Sequence, residues 1–257
     1  MLKSLLAHPL TKNLDINDPR STTLRKQIIN EKPFLKKIYD TWYKDIASEL
    51  SDMQPPVLEV GSGAGYLNEK LRVITSDLAV HPNTQTVLNA QKLPFSENSL
   101  KGIVLLGVLH HIADVRSFFK EATRCVAPGG KVFLMEPWVT VWSSFIFKYL
   151  HHEPFDPKAK EWEFESTGPL SGANQALPWI IFSRDRDLFE KEFPEWKIEY
   201  IKPHMPFRYL VSGGISMRSL MPGWSHGWWK AFENFLQPVM HKLATVAYIV
   251  LVKTPQK

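Results

Sequence analysis

Three groups of side chains in this sequence are of a type and spacing that could do chemistry. The first is Glu59-Val60-Gly61-Ser62-Gly63-Ala64-Gly65, a carboxylate two residues ahead of a glycine-rich turn. Glycines there permit positive φ and let a ligand lie on the backbone. Glu59 would repel a pyrophosphate and suits a ligand that carries an ammonium group. Asp77 follows at the end of the next apolar run, where its two oxygens can accept from a pair of ribose hydroxyls. The second group is His110-His111 with Glu136, each just after an apolar run. The third is His151-His152-Glu153-Pro154-Phe155-Asp156, which has ligand-type residues at a spacing poor for helical metal ligation. A loop at the surface or in a substrate cleft is expected there, and no metal.

The elements needed to position these groups can be read from texture. Val57–Val60, Val73–Asp77, Thr86–Leu88, Gly102–Leu106 and Lys131–Met135 are short apolar runs without polar alternation. Helical patterns lie between several of them, at Tyr66–Leu71 and Ala113–Val126. Such runs read as strands of a parallel sheet covered on both faces. Asp77 and Thr86 are too close for a full crossover helix, so a turn or a single helical turn is expected between them. Before the first run, Leu24, Ile28 and Ile29 share one helical face. After Pro33, Phe34, Ile38, Trp42 and Ile46 recur at four-residue spacing on a second helix. Ser21-Thr22-Thr23 can cap the first of these helices, and Pro55-Pro56 ends the helical region. Residues 1–20 read as a loosely held arm. Trp196–Ile201 and Ala247–Val252 read as two last strands, with a helix around Trp229–Leu243.

The glycine turn, then Asp77, then Asn89-Ala90-Gln91-Lys92-Leu93-Pro94-Phe95, then Val108-Leu109-His110-His111-Ile112, then Pro128-Gly129-Gly130-Lys131 come in a telling order. With that order and spacing, the region from Val57 to about Pro137 resembles class I S-adenosylmethionine (SAM)-dependent methyltransferases. It is most similar to the small-molecule group that includes the ubiquinone and menaquinone biosynthesis enzymes. The resemblance implies an α/β fold: a Rossmann-like, mostly parallel seven-stranded sheet with helices on both faces. An N-terminal arm and helical lid over 1–54 would precede a SAM-binding domain over 55–257, with a cap inserted at about 138–195. It implies SAM as cofactor, held by Glu59, Gly61, Ser62, Gly63 and Gly65 around the methionyl end and ribose. Asp77 would hold the ribose, Leu78 and the Asn89-Ala90 pair would meet adenine, and Leu106 with Gly107 would flank the methyl group. Asn89 stands where the family usually has Asp, so a charge-assisted bond becomes neutral. His110, His111 and Glu136 are the candidates for handling the acceptor, a small molecule or a lipid-linked one.

Other classes are disfavoured. Gly-x-Gly-x-Gly with Glu59 opposes a nucleotide-cofactor oxidoreductase, and no Gly-Lys-Ser/Thr follows to make a P-loop. A SAM-fold binding module without turnover is the remaining alternative. Leu105-Leu106-Gly107-Val108 stands where Asn-Pro-Pro-Tyr marks many DNA N-methyltransferases. The net charge of +5 is spread without a basic block, so no nucleic-acid partner is expected, while peripheral contact with a membrane is compatible. A single cysteine, Cys125, excludes an internal disulfide and a multi-cysteine zinc site; it reads as a small buried residue. No apolar run approaches membrane-spanning length, and a cytoplasmic location is expected. Eight of the nine tryptophans fall between Trp138 and Trp229, around the glycine-punctuated stretch Met205–Trp224. That stretch could line an apolar acceptor pocket or touch a membrane.

Overall fold

The computed structural model describes residues 7–10, 20–51, 56–166 and 172–255, with backbone alone for 20–22. Seven strands form one sheet: β1 (Val57–Val60), β2 (Ile74–Asp77), β3 (Thr86–Val87), β4 (Leu100–Leu106), β5 (Val126–Pro137), β6 (Trp196–His204) and β7 (Val246–Lys253). Their order is β3-β2-β1-β4-β5-β7-β6, and all run parallel except β7, which pairs antiparallel with both β5 and β6. The mostly parallel α/β sheet expected from the sequence is therefore present.

Alternation along the strands sorts side chains onto two faces. Leu58, Ile103, Leu105, Val132, Leu134 and Ile249 point to one face, and Val57, Val104, Phe133, Met135, Tyr248 and Val250 to the other. The first face is covered by α3 (Val115–Cys125), whose N-terminus Asp114 caps by accepting from Ser117 N at 2.9 Å. Phe119 of α3 is fully buried among the rings of Phe118, Phe182, Phe189 and Phe193. Truncating such a ring to alanine costs about 3–5 kcal/mol. Cys125 lies at the same interface, fully buried.

The second face is covered from the N-terminus. Helices α1 (Arg20–Glu31) and α2 (Pro33–Glu49) meet at Pro33, which starts the second helix because its missing N–H has no partner to lose there. Phe34, Leu35, Ile38, Trp42, Tyr43 and Ile46 form the buried stripe of α2 and pack on β1, β4, β5 and β7. Helix α1 begins one residue before the expected Ser21 cap, whose side chain lies outside the described residues, as does Pro55. Most of the supposed loose arm is also outside them. The described part is held, with Ala7 bridging Met217 and His8 N donating to Ser216 O at 2.8 Å.

Two crossovers depart from the regular pattern. The helix expected at Tyr66–Leu71 is only a 3-10 turn, Leu67–Glu69. Few residues separate Gly65 from Ile74, and α2 already fills the face that a longer helix would cover. Tyr66 packs against Tyr39 and Tyr43 of α2 instead. Between β2 and β3 there is only a turn, as the short spacing required. Beyond β5, helix α4 (Val141–Tyr149) leads into an irregular segment. The chain then returns through a helical stretch, 177–184, and α5 (Arg186–Glu192) to β6. Between β6 and β7 lie α6 (Arg208–Val211) and α7 (His226–Phe235). Among the described residues, no helix is long and apolar enough to cross a membrane.

Candidate active site

The carboxyl ends of β1, β2, β4 and β5 carry Glu59, the glycine turn, Asp77, His110, His111 and Glu136, while 151–156 follow α4. Glu59 and Val57 project to the α2 side of the sheet, Leu58 and Val60 to the α3 side. The Glu59 side chain is 1% exposed, and neither carboxylate oxygen has a hydrogen-bond partner. Burial pushes it up to about 8, well above the ordinary 4.5. A buried acid left without donors costs free energy unless a ligand supplies them. An ammonium group is the chemistry that fits it.

The glycine turn is shaped by contacts within the chain as well as by access. Gly61 has φ +66, and a Cβ there would lie 2.6 Å from Val108 Cγ2. Gly65 has φ +71, and its Cβ would meet Asn83 Cβ at 2.7 Å. Ser62 is buried; its hydroxyl donates to Glu59 O and accepts from Ser76 N at 3.0 Å, tying the turn to β2. Gly63 N donates to Asp77 Oδ2 at 3.3 Å, and Leu78 N to Asp77 Oδ1 at 2.8 Å. Asp77 keeps part of its acceptor capacity and some exposure for a ligand's hydroxyls.

His81 and Asn83 escaped the sequence reading. His81 Nε2 lies 3.1 Å from Asp77 Oδ2, with the ring buried, and Asn83 Nδ2 reaches Gly63 O at 3.4 Å. The four-residue spacing from Asp77 to His81 was the available signal. Leu78 is half exposed beside them. Asn89 is exposed, and its side-chain oxygen accepts from Gln91 N at 2.9 Å, leaving one lone pair for a ligand. Ala90 is buried and Leu106 partly so.

His110 and His111 lie on a 3-10 turn, Leu109–His111, directly after β4. They precede α3. Glu136, inside the carboxyl end of β5 and fully buried, has its acceptors engaged by Val108 N at 2.8 Å, Leu109 N at 2.7 Å and His110 Nδ1 at 2.7 Å. Glu136 therefore caps the turn and orients His110 at once. Glu153 completes the cluster from the segment after α4. Its Oε2 lies 3.4 Å from His110 Nε2 and its Oε1 3.7 Å from His111 Nε2. Gln175 Nε2 donates to Glu153, and His111 Nδ1 sits 3.2 Å from Gly172 O.

The electrostatics follow from this packing. Burial pulls the His110 ring down, but Glu136 and Glu153 outweigh it and hold it at about 9. Burial, with His110 adding to it, takes His111 down to about 4, and burial takes His151 to about 4. Burial alone would raise Glu153, yet His110 and its neighbours hold it well below the usual carboxylate range. A Cβ built on Gly107 would come no closer than 4.0 Å to His110 Cε1, so the cluster adjoins the open side of Gly107. A cleft of about 560 Å³ opens at the amino ends of β1 and β2, lined partly by Pro56, Val57, Val73 and Ile74. It holds none of these groups.

Residues 58–134 match the family model described as a methyltransferase domain. This covers the glycine turn, Asp77, the two histidines and the start of β5. No curated protein matches the sequence. Among solved structures, the chain resembles one in the complex of the Haloferax volcanii Trm112 methyltransferase activator with a methyltransferase. The identity is 12%, over 95% of this chain and 99% of that one, with a TM-score of 0.52. A SAM-dependent methyltransferase from Methanosarcina mazei is 15% identical over 82% of this chain and 98% of its own (TM-score 0.47). The Streptomyces coelicolor geranyl diphosphate C-methyltransferase is 10% identical over 97% and 88% (TM-score 0.47). At such identity the first of these likenesses speaks to the fold alone. The stretch 58–134, under a third of the chain, carries the match to a methyltransferase domain.

Proposed function

We propose that the protein transfers a methyl group from SAM to an apolar small-molecule or lipid-linked acceptor. The observation that carries this reading is Glu59, a fully buried carboxylate whose two oxygens lack donors, beneath the glycine turn. SAM supplies an electrophilic methyl on a sulfonium, so positioning carries most of the catalysis. In this reading Glu59 takes the ammonium of the methionyl end, and Gly61, Ser62, Gly63 and Gly65 line its path. Asp77, held in place by His81, takes the ribose. Leu78, Asn89 and Ala90 border the adenine, and Leu106 with Gly107 borders the methyl. His110, aligned by Glu136 and charged, faces the acceptor as a proton holder, and the neutral His111 beside it is the ring free to accept one. Residues 1–54 serve as the cover of the cofactor side, through Tyr39 and Tyr43, and 138–195 as the cover of the acceptor side, through Glu153.

An exposed aromatic surface supports an acceptor drawn from a membrane. Val141, Phe145 and Tyr149 lie one turn apart on α4, and Trp228, Phe232 and Phe235 are exposed on α7 with Trp224 just before it. Phe207 joins the two helices, since its ring contacts both Trp142 and Phe232. Lys148 and Lys230 are exposed on the same helices. Aromatic rings with flanking lysines suit the headgroup region of a bilayer, and so large an apolar area marks an interaction surface. A cytoplasmic protein that visits a membrane face fits this reading.

Calorimetry with SAM, S-adenosylhomocysteine and NAD is the direct test. Heat with both sulfur ligands and none with NAD is expected; absence of heat with either sulfur ligand overturns the reading. Labelled SAM supplied with lipid and polar extract fractions then separates an enzyme from a silent binding module.

A further inference from the structure

We propose that His110, His111 and Glu153 form a binding site for one divalent transition-metal ion. Among the described residues, one nitrogen from each histidine and one Glu153 oxygen all lie within 4.8 Å of one another. The histidines come from the turn after β4 and the glutamate from the segment after α4, so the fold brings together what the sequence keeps apart.

The hydrogen bonds around the cluster turn the inner atoms of the two histidines toward Glu153, which also accepts from Gln175. Gly172 O can only accept, so His111 Nδ1, 3.2 Å away, carries a proton. A neutral ring then presents a lone pair at Nε2, and that lone pair faces Glu153 Oε1 at 3.7 Å. Two acceptors aimed at each other call for something positive between them. His110 is oriented in the same way but carries a proton at Nε2, which an incoming ion would displace. Its Nδ1 donates to Glu136, which also receives two backbone N–H groups, and its Nε2 faces Glu153 Oε2 at 3.4 Å.

The distances discriminate between a hydrogen bond and shared ligation. Both are longer than a good N–H···O bond. Two donors at about 2.0–2.1 Å from a tetrahedral ion lie roughly 3.3 Å apart, close to both separations. The third separation, at most 4.8 Å, closes with a rotation of the slightly exposed His111 ring. The outer contacts also fit a metal site: each ligating imidazole gives its other N–H to a carboxylate or carbonyl, and the carboxylate is itself held, here by Gln175.

Two imidazoles and one carboxylate, with no thiolate, select a borderline ion such as Zn²⁺, Fe²⁺ or Mn²⁺ and leave coordination positions open. Next to Gly107, an open position would take an oxygen or nitrogen of the acceptor and orient it. That last clause rests on the methyltransferase reading; binding of the ion does not.

The test uses the full chain after dialysis against a chelator. Titration with Zn²⁺ by calorimetry, and with Co²⁺ by visible absorption, is expected to show one ion per chain. His111→Ala and Glu153→Gln are each expected to weaken it at least about tenfold, since loss even of an outer partner costs 10–100-fold. SAM binding should persist in both variants. No stoichiometric ion on the wild-type chain, or unchanged affinity in both variants, overturns the proposal. Failure of the wild-type chain to bind SAM would instead sink the methyltransferase reading, so the two outcomes are separable.

Discussion

Asp77 immediately follows Ser76, which pairs with Val60, so the Glu59 and Asp77 carboxyls leave the same ends of adjacent parallel strands. The glycine turn bridges them, with Gly63 N donating to Asp77. Two acids so placed can grip the ammonium and the ribose of one ligand, and the negative charge of Asp77 also adds to the difficulty of ionising Glu59.

The protonation of Glu59 makes a first prediction. Its folded pKa is about 8 against an ordinary 4.5, so the folded chain keeps a proton that the unfolded chain has lost. Stability from this group is therefore fully present below about 4.5 and is lost as pH rises toward about 8. Thermal melts of the ligand-free protein should fall across that window, and Glu59→Gln should flatten the decline. SAM binding below pH 8 should release close to one proton, read from calorimetry in buffers of different ionisation heat, and the variant should release none. SAM affinity in Glu59→Gln should drop about 10–100-fold, the worth of a hydrogen bond to a charged group.

The turn glycines are not equivalent. Gly61→Ala meets both a left-handed backbone, costing about 1–2 kcal/mol, and a collision with Val108. Gly63→Ala, at φ +49, has its nearest atom at 3.8 Å and meets only the backbone cost. Melting temperature should fall further for Gly61→Ala. In Gly63→Ala the loss should be mainly of SAM affinity, because its open side is where a ligand approaches.

Glu136 satisfies two backbone donors and His110 in a site with no access to water. Glu136→Ala leaves all three without their partner. It should cost about 3–5 kcal/mol, as for other broken buried pairs. For a chain of this size that is a fall of roughly 6–20 °C in Tm, measurable by calorimetric scanning. Methyl transfer should fall as well, since the turn that carries His110 and His111 loses its anchor.

The aromatic surface predicts association with phospholipid vesicles. Trp224 and Trp228 are each about three-quarters exposed. Replacing both with alanine should reduce cosedimentation with vesicles at least tenfold, since burying one large apolar side chain contributes about 1.5–3 kcal/mol. Melting temperature and SAM affinity should stay unchanged, because neither ring supports the core.

What could be read along the chain was whatever local physics encodes. Apolar runs, the glycine turn, the Pro33 break and the four-residue period of Phe34, Ile38, Trp42 and Ile46 depend on neighbours within a turn or a strand. They place Glu59, Asp77, His110 and Glu136 at strand ends from the sequence alone. Tertiary packing decided the rest. Helix α2 took the sheet face beside β1, so the segment after Gly65 never became a helix, although its own pattern favoured one. The antiparallel entry of β7 between β5 and β6 depends on which edge was left unpaired. Glu153 meets His110 and His111 because the segment after α4 folds back over the sheet, and no spacing rule announces a partner some forty residues away. Local free energies write the elements; the surfaces those elements leave uncovered determine which distant side chains share a site.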